Sequence, residues 1–170
     1  MNLFQKLMLG AFVIAVLVLS TLFVRIEKRK TRDALRVANA VMLQSALEVG
    51  YQNTAKFPLV PNAKTPYGVL GLGAMTKLCL DGRAAVEFKS SQEACAGRTI
   101  APVLARDPEY GGKPMGSPCF NDPYHSCEFS YTASPDGSNF QALFRLEGAT
   151  GTLQCTNYPC MKVMTKEGIR

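Results

Sequence analysis

The feature that most constrains this chain is an uncharged apolar run near its amino terminus, from Leu7 to Val24. As a helix this run is ~27 Å long, which is about the thickness of the hydrocarbon core of a bilayer. We therefore predict that residues 1–24 form a transmembrane helix or signal anchor with a short basic leader. A cleavable secretory signal is the alternative interpretation. No small-x-small cleavage site follows Val24, because the charged sequence RIEKRKTR begins at the next residue.

The helix is predicted to continue beyond the membrane, because no Gly or Pro occurs from residue 25 to residue 49. In this amphipathic continuation, residues 25–52, apolar side chains recur at spacings of three and four. They form a predicted helix core face of Val37, Ala40, Leu43, Leu47 and Tyr51. We place Arg36, Asn39, Gln44 and Glu48 elsewhere on the cylinder. Gly50 and Pro58 mark the end of the helix, Tyr51 to Phe57 form a short exit loop, and a break near residues 31–33 is the alternative.

The formal net charge of +6 is concentrated beside the apolar run. Six basic residues lie between residues 25 and 36, whereas acidic and basic residues nearly balance from residue 53 onward. This distribution indicates anionic lipid headgroups as the partner. We expect no direct nucleic-acid binding, because the rest of the chain has neither a basic stripe nor an aromatic-basic motif.

Six cysteines lie in the part after the helix: Cys79, Cys95, Cys119, Cys127, Cys155 and Cys160. An even number confined to the folded part is typical of disulfides in an oxidising compartment. A zinc site is the competing interpretation, but there is no Cys-x-x-Cys pair, and His125 is the one histidine. The positive-inside rule alone would place the domain in the cytoplasm. We follow the cysteines and predict an extracytoplasmic domain.

The remaining residues, 53–170, are predicted to form a disulfide-containing β domain. Residues 59–100 are rich in Gly and Pro and are interpreted as a loop that wraps the helix. The strand signal comes later, where apolar residues alternate on both sides of the turn Ser-Pro-Asp-Gly at 134–137. Two further strands are predicted near 152–155 and 161–164.

Pairing between sequence neighbours predicts the disulfides Cys79–Cys95, Cys119–Cys127 and Cys155–Cys160, with other connectivities left open. The predicted fold class is therefore α+β. A long amino-terminal helix, half transmembrane and half amphipathic, packs on a small antiparallel β-sheet that disulfides staple.

Several stretches, in this order, resemble type IV pilins and type II secretion pseudopilins. The run from Arg32 to Pro58, which contains SALEVGYQNTAKFP, is similar to the end of the long first helix of that family. LARDPEYGG resembles the Asp-Pro segment before the sheet, and FSYTASPDGSNFQALFRLE is similar to the central hairpin. The resemblance covers nearly the whole chain and implies a pilin-like fold.

The chain departs from the family pattern at the amino terminus. The leader MNLFQK and Gly10 match a prepilin peptidase site with a mature start at Ala11, but the fifth mature residue is then Ala15 instead of glutamate. No acidic residue precedes Glu27. In the family, that glutamate is thought to pair with the amine of a neighbouring subunit in the apolar filament core. The departure favours a minor or initiating subunit, or an unprocessed membrane-anchored relative, over a major subunit.

Signals for catalysis are weak. The sequence has no Gly-x-Ser-x-Gly, phosphate-binding glycine loop or His-Glu-x-x-His motif. Asp107, Glu109, Asp122 and Glu128 share no predicted element that would pair their carboxylates. Some pseudopilins bind calcium in loops around the sheet, so the resemblance implies Asp122 and Asp136 as calcium candidates. We expect no cofactor and no enzymatic activity.

Two functions remain. The resemblance implies a structural subunit of a type IV pilus, of a type II secretion-like filament, or of its assembly base. Its partners would be copies of itself or other pilin-like subunits, together with the assembly machinery. It would reside as a single-pass protein of the bacterial cytoplasmic membrane or in a cell-surface filament. The alternative is a monomeric, membrane-anchored binding or adhesion domain with the same fold, and an extracytoplasmic enzyme is a weaker third possibility.

Overall fold

A long helix, α1, spans Leu3–Thr54 without interruption. The computed structural model describes residues 2–61, 67–71, 74–82, 85–104, 108, 129–148, 153 and 160–170. The 52 residues of α1 give a rod of ~78 Å. The predicted continuity from apolar run to folded domain is therefore confirmed, and the alternative break near residues 31–33 is wrong.

The helix ends at Ala55, which adopts the left-handed conformation with φ 55° and donates its amide to the Tyr51 carbonyl at 2.7 Å. The predicted exit loop is therefore shorter than expected, since residues 51–54 are still helical. Gly50 is not a stop signal. Gly50 is a buried position within α1, and a Cβ atom added to it would lie 3.0 Å from a Val86 methyl carbon. The missing side chain lets the helix approach the sheet closely.

Eight strands follow the helix in the described part of the chain: β1 (Gly68–Val69), β2 (Lys77–Leu80), β3 (Val86–Lys89), β4 (Arg98–Ala101), β5 (Ser130–Ala133), β6 (Phe140–Leu146), β7 (Cys160–Thr165) and β8 (Gly168–Ile169). Every pairing between them is antiparallel. One sheet has five strands in the order β1-β5-β6-β7-β8, and a second has three in the order β3-β2-β4. The protein is thus α+β, as predicted.

The central hairpin of the larger sheet is the one that the alternating sequence predicted. β5 and β6 pair in the register Ser130↔Leu143 to Ala133↔Phe140 and are joined by the 134–137 turn. β7 confirms the strand expected near 161–164. The strand expected near 152–155 lies outside the described residues, apart from Leu153, which is not in a strand.

The smaller sheet corrects the interpretation of residues 59–100 as a wrapping loop. β2, β3 and β4 lie within that stretch. Each has four residues, so glycine, proline and short polar turns dominated the local composition and hid the strands. The alternation Val-Glu-Phe-Lys in β3 was the available signal.

The core lies between α1 and the two sheets. Ala40, Leu43 and Leu47 from the helix meet buried side chains of both sheets, including Leu78, Phe88 and Phe144. A disulfide between Cys79 of β2 and Cys95 closes the loop before β4, with the two Cα atoms 5.5 Å apart. The predicted Cys79–Cys95 pair is therefore present.

Candidate functional site

The candidate functional site is the helix α1, because most of its surface is bare. Every described side chain from Leu7 to Val24 is exposed. The most apolar 18-residue window of the helix has a mean hydropathy of 2.8 and is 0% buried. By length and composition this is the one helix in the described residues that could cross a membrane, although a signal sequence has the same properties.

Exposed apolar side chains reappear on α1 beyond the charged residues. Leu35, Met42 and Val49 recur every seven residues in one row beside the packed face of α1, and they are 50%, 66% and 40% exposed. We call these three residues the outer stripe. Val41 flanks it and is also exposed. Met42 also borders a small cavity with Leu70 and Phe129. A seven-residue apolar repeat is the spacing that keeps a helix face in contact with a second helix.

The packed face of α1 is fixed to the larger sheet by buried charges. Arg36 is 0% exposed. Its Nη1 atom donates to Asp33 Oδ1 at 2.9 Å and to Glu147 Oε1 at 2.7 Å, and its Nη2 atom donates to the Pro108 carbonyl at 3.2 Å. We call Arg32, Asp33, Arg36 and Glu147 the ionic junction.

The other members of the ionic junction complete its hydrogen bonding. Arg32 holds both carboxylate oxygens of Glu147 through Nε and Nη2, each at 2.6 Å. The Asp33 carboxylate accepts the amides of Glu147 at 2.8 Å and of Gly148 at 2.9 Å. Among the described residues, two positive and two negative side chains therefore meet where β6 ends against the helix. Such a cluster fixes one relative position of helix and sheet, because each charge is costly to bury without its partners.

Burial of Glu147 opposes ionisation, but the hydrogen bonds from Arg32 and Arg36 outweigh it, so the pKa of Glu147 is lowered from 4.5. The pKa of Arg32 is raised, chiefly by its hydrogen bond to Glu147. A carboxylate whose pKa is lower in the folded than in the unfolded protein contributes its full stabilisation at pH values above the unfolded-state pKa. That stabilisation is lost as the pH falls through the folded-state pKa.

We therefore expect the free energy of unfolding to fall as pH drops below about 4.5. Guanidinium unfolding of the protein in detergent micelles, repeated from pH 7 to pH 3, measures this loss. The Glu147→Gln variant should start less stable and lose less over the same range. Parallel curves for the two proteins would contradict the prediction. Hydrogen bonds from Ser134 and Ser138 lower the pKa of the exposed Asp136 to about 2.

The ionic junction also divides the basic residues near the apolar run into two groups. Arg32 and Arg36 are engaged with the folded domain, and Lys30 pairs with Glu27 at 2.9 Å. Arg25, Lys28 and Arg29 are exposed. These three lie within the first turn and a half after Val24, at the depth of lipid headgroups if the apolar run spans a bilayer.

The predicted helix core face agrees with the packing at most positions. Ala40, Leu43 and Leu47 are buried, and Val37 is half-buried against the core. Tyr51 is 39% exposed, with its ring stacked on Phe57 at a centroid distance of 4.6 Å. The expected position of Arg36 was wrong, because it lies on the core face four residues before Ala40.

The ionic junction was missed by sequence reasoning, although part of its signal is visible. Asp33 and Arg36 have the three-residue spacing of a helical ion pair, and both share the face that carries Ala40 and Leu43. Two opposite charges on an otherwise apolar helix face indicate a buried ion pair, especially if another element supplies a further charged partner. Glu147 gave no such signal, since its place at the end of β6 depends on the sheet register.

The remaining predicted site residues stay separate or lie outside the description. The Asp136 carboxylate accepts hydrogen bonds from the amide and hydroxyl of Ser138, within its own turn. Gly10 and Ala11 are exposed positions in α1. Cys160 is disulfide-bonded. Eight further residues named in the sequence predictions lie outside the described part of the chain: Asp107, Glu109, Cys119, Asp122, His125, Cys127, Glu128 and Cys155.

The described residues contain no group of three His, Cys, Asp or Glu side chains that could hold a metal ion. The long apolar helix on a small antiparallel sheet with a disulfide is compatible with a pilin-like fold. No protein-family model, curated protein or solved structure matches the chain.

Proposed function

We propose that this protein is a non-catalytic structural subunit of a type IV pilus, of a type II secretion-like filament, or of its assembly base. In this role α1 packs against copies of itself or related pilin-like subunits. The observation that carries the proposal is the outer stripe. Leu35, Met42 and Val49 lie beyond the apolar run and remain exposed although the domain covers the packed face of the helix.

A monomeric tether would need an apolar surface only along the membrane-spanning half. Exposed apolar area outside the bilayer is unfavourable by ~25 cal/mol per Å² until a partner covers it. An assembly subunit uses both halves, because the outer stripe adds exposed apolar side chains to the helix beyond the charged residues that follow the apolar run. The outer stripe therefore supports assembly over simple anchoring.

The proposed location is the cytoplasmic membrane, with the domain on the extracytoplasmic side. The Cys79–Cys95 disulfide supports this side, since stable disulfides are typical of oxidising compartments. Arg25, Lys28 and Arg29 provide charge for anionic lipid headgroups at the end of the apolar run.

Site-specific photo-crosslinking in native membranes tests the proposal. A benzophenone amino acid replaces Leu35, and the products are identified by mass spectrometry. We expect adducts with a second copy of this chain or with another pilin-like subunit. Met42→Glu should reduce these adducts about tenfold, because a charge in an apolar seam costs at least ~1.4 kcal/mol.

The matched control is Gln44→Glu, which adds the same charge on the flank of the helix instead of the outer stripe. It should leave the adducts unchanged. Both positions lie beyond the apolar run, so neither variant alters membrane insertion. Lipid adducts alone, or equal effects of the two variants, would favour the monomeric tether.

Intact-mass spectrometry of the same sample should show loss of residues 1–10 if cleavage occurs after Gly10.

A further inference from the structure

The smaller sheet has an open edge at β3. In the order β3-β2-β4, β3 is an outer strand that pairs with β2 through Lys77↔Lys89 to Leu80↔Val86. Asp81 donates its amide to the Ala85 carbonyl at 2.7 Å. In an antiparallel pair, hydrogen-bonded and non-hydrogen-bonded residue pairs alternate. The backbone amide and carbonyl of Glu87, two residues after Ala85, therefore also face β2. The amide and carbonyl groups of Val86 and Phe88 therefore point away from the sheet.

A groove of about 690 Å³ runs beside this edge. One wall is the backbone and side chains of β3, and the other is the chain that leaves α1, including Leu59 and Val60. The second wall is held in place, since Phe57 donates its amide to the Gly137 carbonyl at 2.8 Å. The Pro58 carbonyl accepts the Tyr131 hydroxyl at 2.9 Å. Leu59 is 53% exposed at the groove.

The other sheet edges have features that discourage pairing, and β3 has fewer of them. β1 and β8 are two residues long, and the pairing of β4 with β2 shifts register between Leu78 and Cys79. Short edges and bulges are common protections against strand addition. In β3 the two charged side chains, Glu87 and Lys89, pair with each other at 3.3 Å. The two charged side chains of β3 therefore partly neutralise each other at this edge.

We propose that β3 accepts a further strand: an extended segment of a partner protein that lies in the groove and pairs with Val86 and Phe88. Only a polypeptide backbone offers donors and acceptors at the two-residue spacing of these outward groups. The apolar wall of Leu59 and Val60 selects a segment with alternating apolar side chains. Lys56 and Glu87 at the groove have opposite charges, so the segment needs no net charge. This binding site goes beyond the proposed assembly function and does not depend on it.

The test uses the full-length protein in detergent micelles and a phage-displayed library of random twelve-residue peptides. Enriched peptides should share an alternating apolar pattern. Two matched variants then separate backbone pairing from side-chain contact. Val86→Ala and Val86→Pro both shorten the side chain that contacts the helix, but only proline removes the outward amide. Proline is tolerated at an edge position of this kind because that amide does not bond to β2.

We expect Val86→Ala to bind the enriched peptides within about threefold of the parent and Val86→Pro to bind about tenfold more weakly. Equal binding by the two variants, or no enrichment over empty micelles, would overturn the proposal. Hydrogen exchange of the parent protein provides a second readout that needs no variant. The bound peptide should slow exchange of the Val86 and Phe88 amides at least about tenfold. Concentration-dependent protection of these amides without peptide would identify a second copy as the occupant and also overturn the proposal.

Discussion

Replacing Arg36 with methionine is expected to lower the free energy of unfolding by about 3–5 kcal/mol. The substitution keeps most of the side-chain volume but removes the cation between Asp33 and Glu147, both of which are nearly inaccessible to water. Arg32 still pairs with Glu147, whereas Asp33 loses its ion pair with Arg36. Guanidinium unfolding followed by near-ultraviolet circular dichroism of the tyrosines measures the loss.

Arg29→Met is the matched control, because it makes the same chemical change at an exposed position of the same helix. We expect it to change the free energy of unfolding by less than ~0.5 kcal/mol. If Arg36→Met and Arg29→Met unfold at the same denaturant concentration, the ionic junction does not hold the helix to the sheet in solution.

Tyr131→Ala is expected to be about as damaging, at roughly 3–5 kcal/mol. Tyr131 is 0% exposed and joins three parts of the fold. Its ring meets Phe88 of the smaller sheet edge-on at 4.9 Å and stacks with Phe140 of the larger sheet at 5.9 Å. Its hydroxyl bonds to the Pro58 carbonyl, and burial raises the pKa of that hydroxyl.

Tyr131→Phe separates the ring from the hydroxyl. It should cost only about 1–3 kcal/mol, because the ring contacts remain and one buried carbonyl loses its donor. Thermal unfolding of both variants in detergent provides the comparison. An equal cost for Phe and Ala would mean that the hydrogen bond to Pro58, and not the ring contacts, accounts for the stabilisation by Tyr131.

The sequence predicted the parts of the fold that repeat with a regular period. The spacing of Ala40, Leu43 and Leu47 defined the packing face of α1, and the alternation in β5 and β6 defined the hairpin. Cys79 and Cys95 were paired correctly by proximity in the chain. These features depend on neighbours in sequence, which a single chain displays directly.

The features that were not predicted depend on contacts between distant residues. Arg36 was assigned to the solvent by its charge, because its partner Glu147 is 111 positions away. The smaller sheet was missed because strands of four residues are too short for alternation to stand out. Gly50 was interpreted as a helix end, since its close approach to Val86 becomes visible only after helix and sheet have packed.

The continuity of α1 has a mechanical consequence. A force applied along the axis of the apolar half of α1 would reach the domain without passing through a break in the helix. The contacts that resist it, from the ionic junction to the Gly50 and Val86 packing, are spread over ~27 Å of helix parallel to the load. Such contacts bear shear together instead of peeling apart one at a time. An axial load on the helix is therefore shared among these contacts.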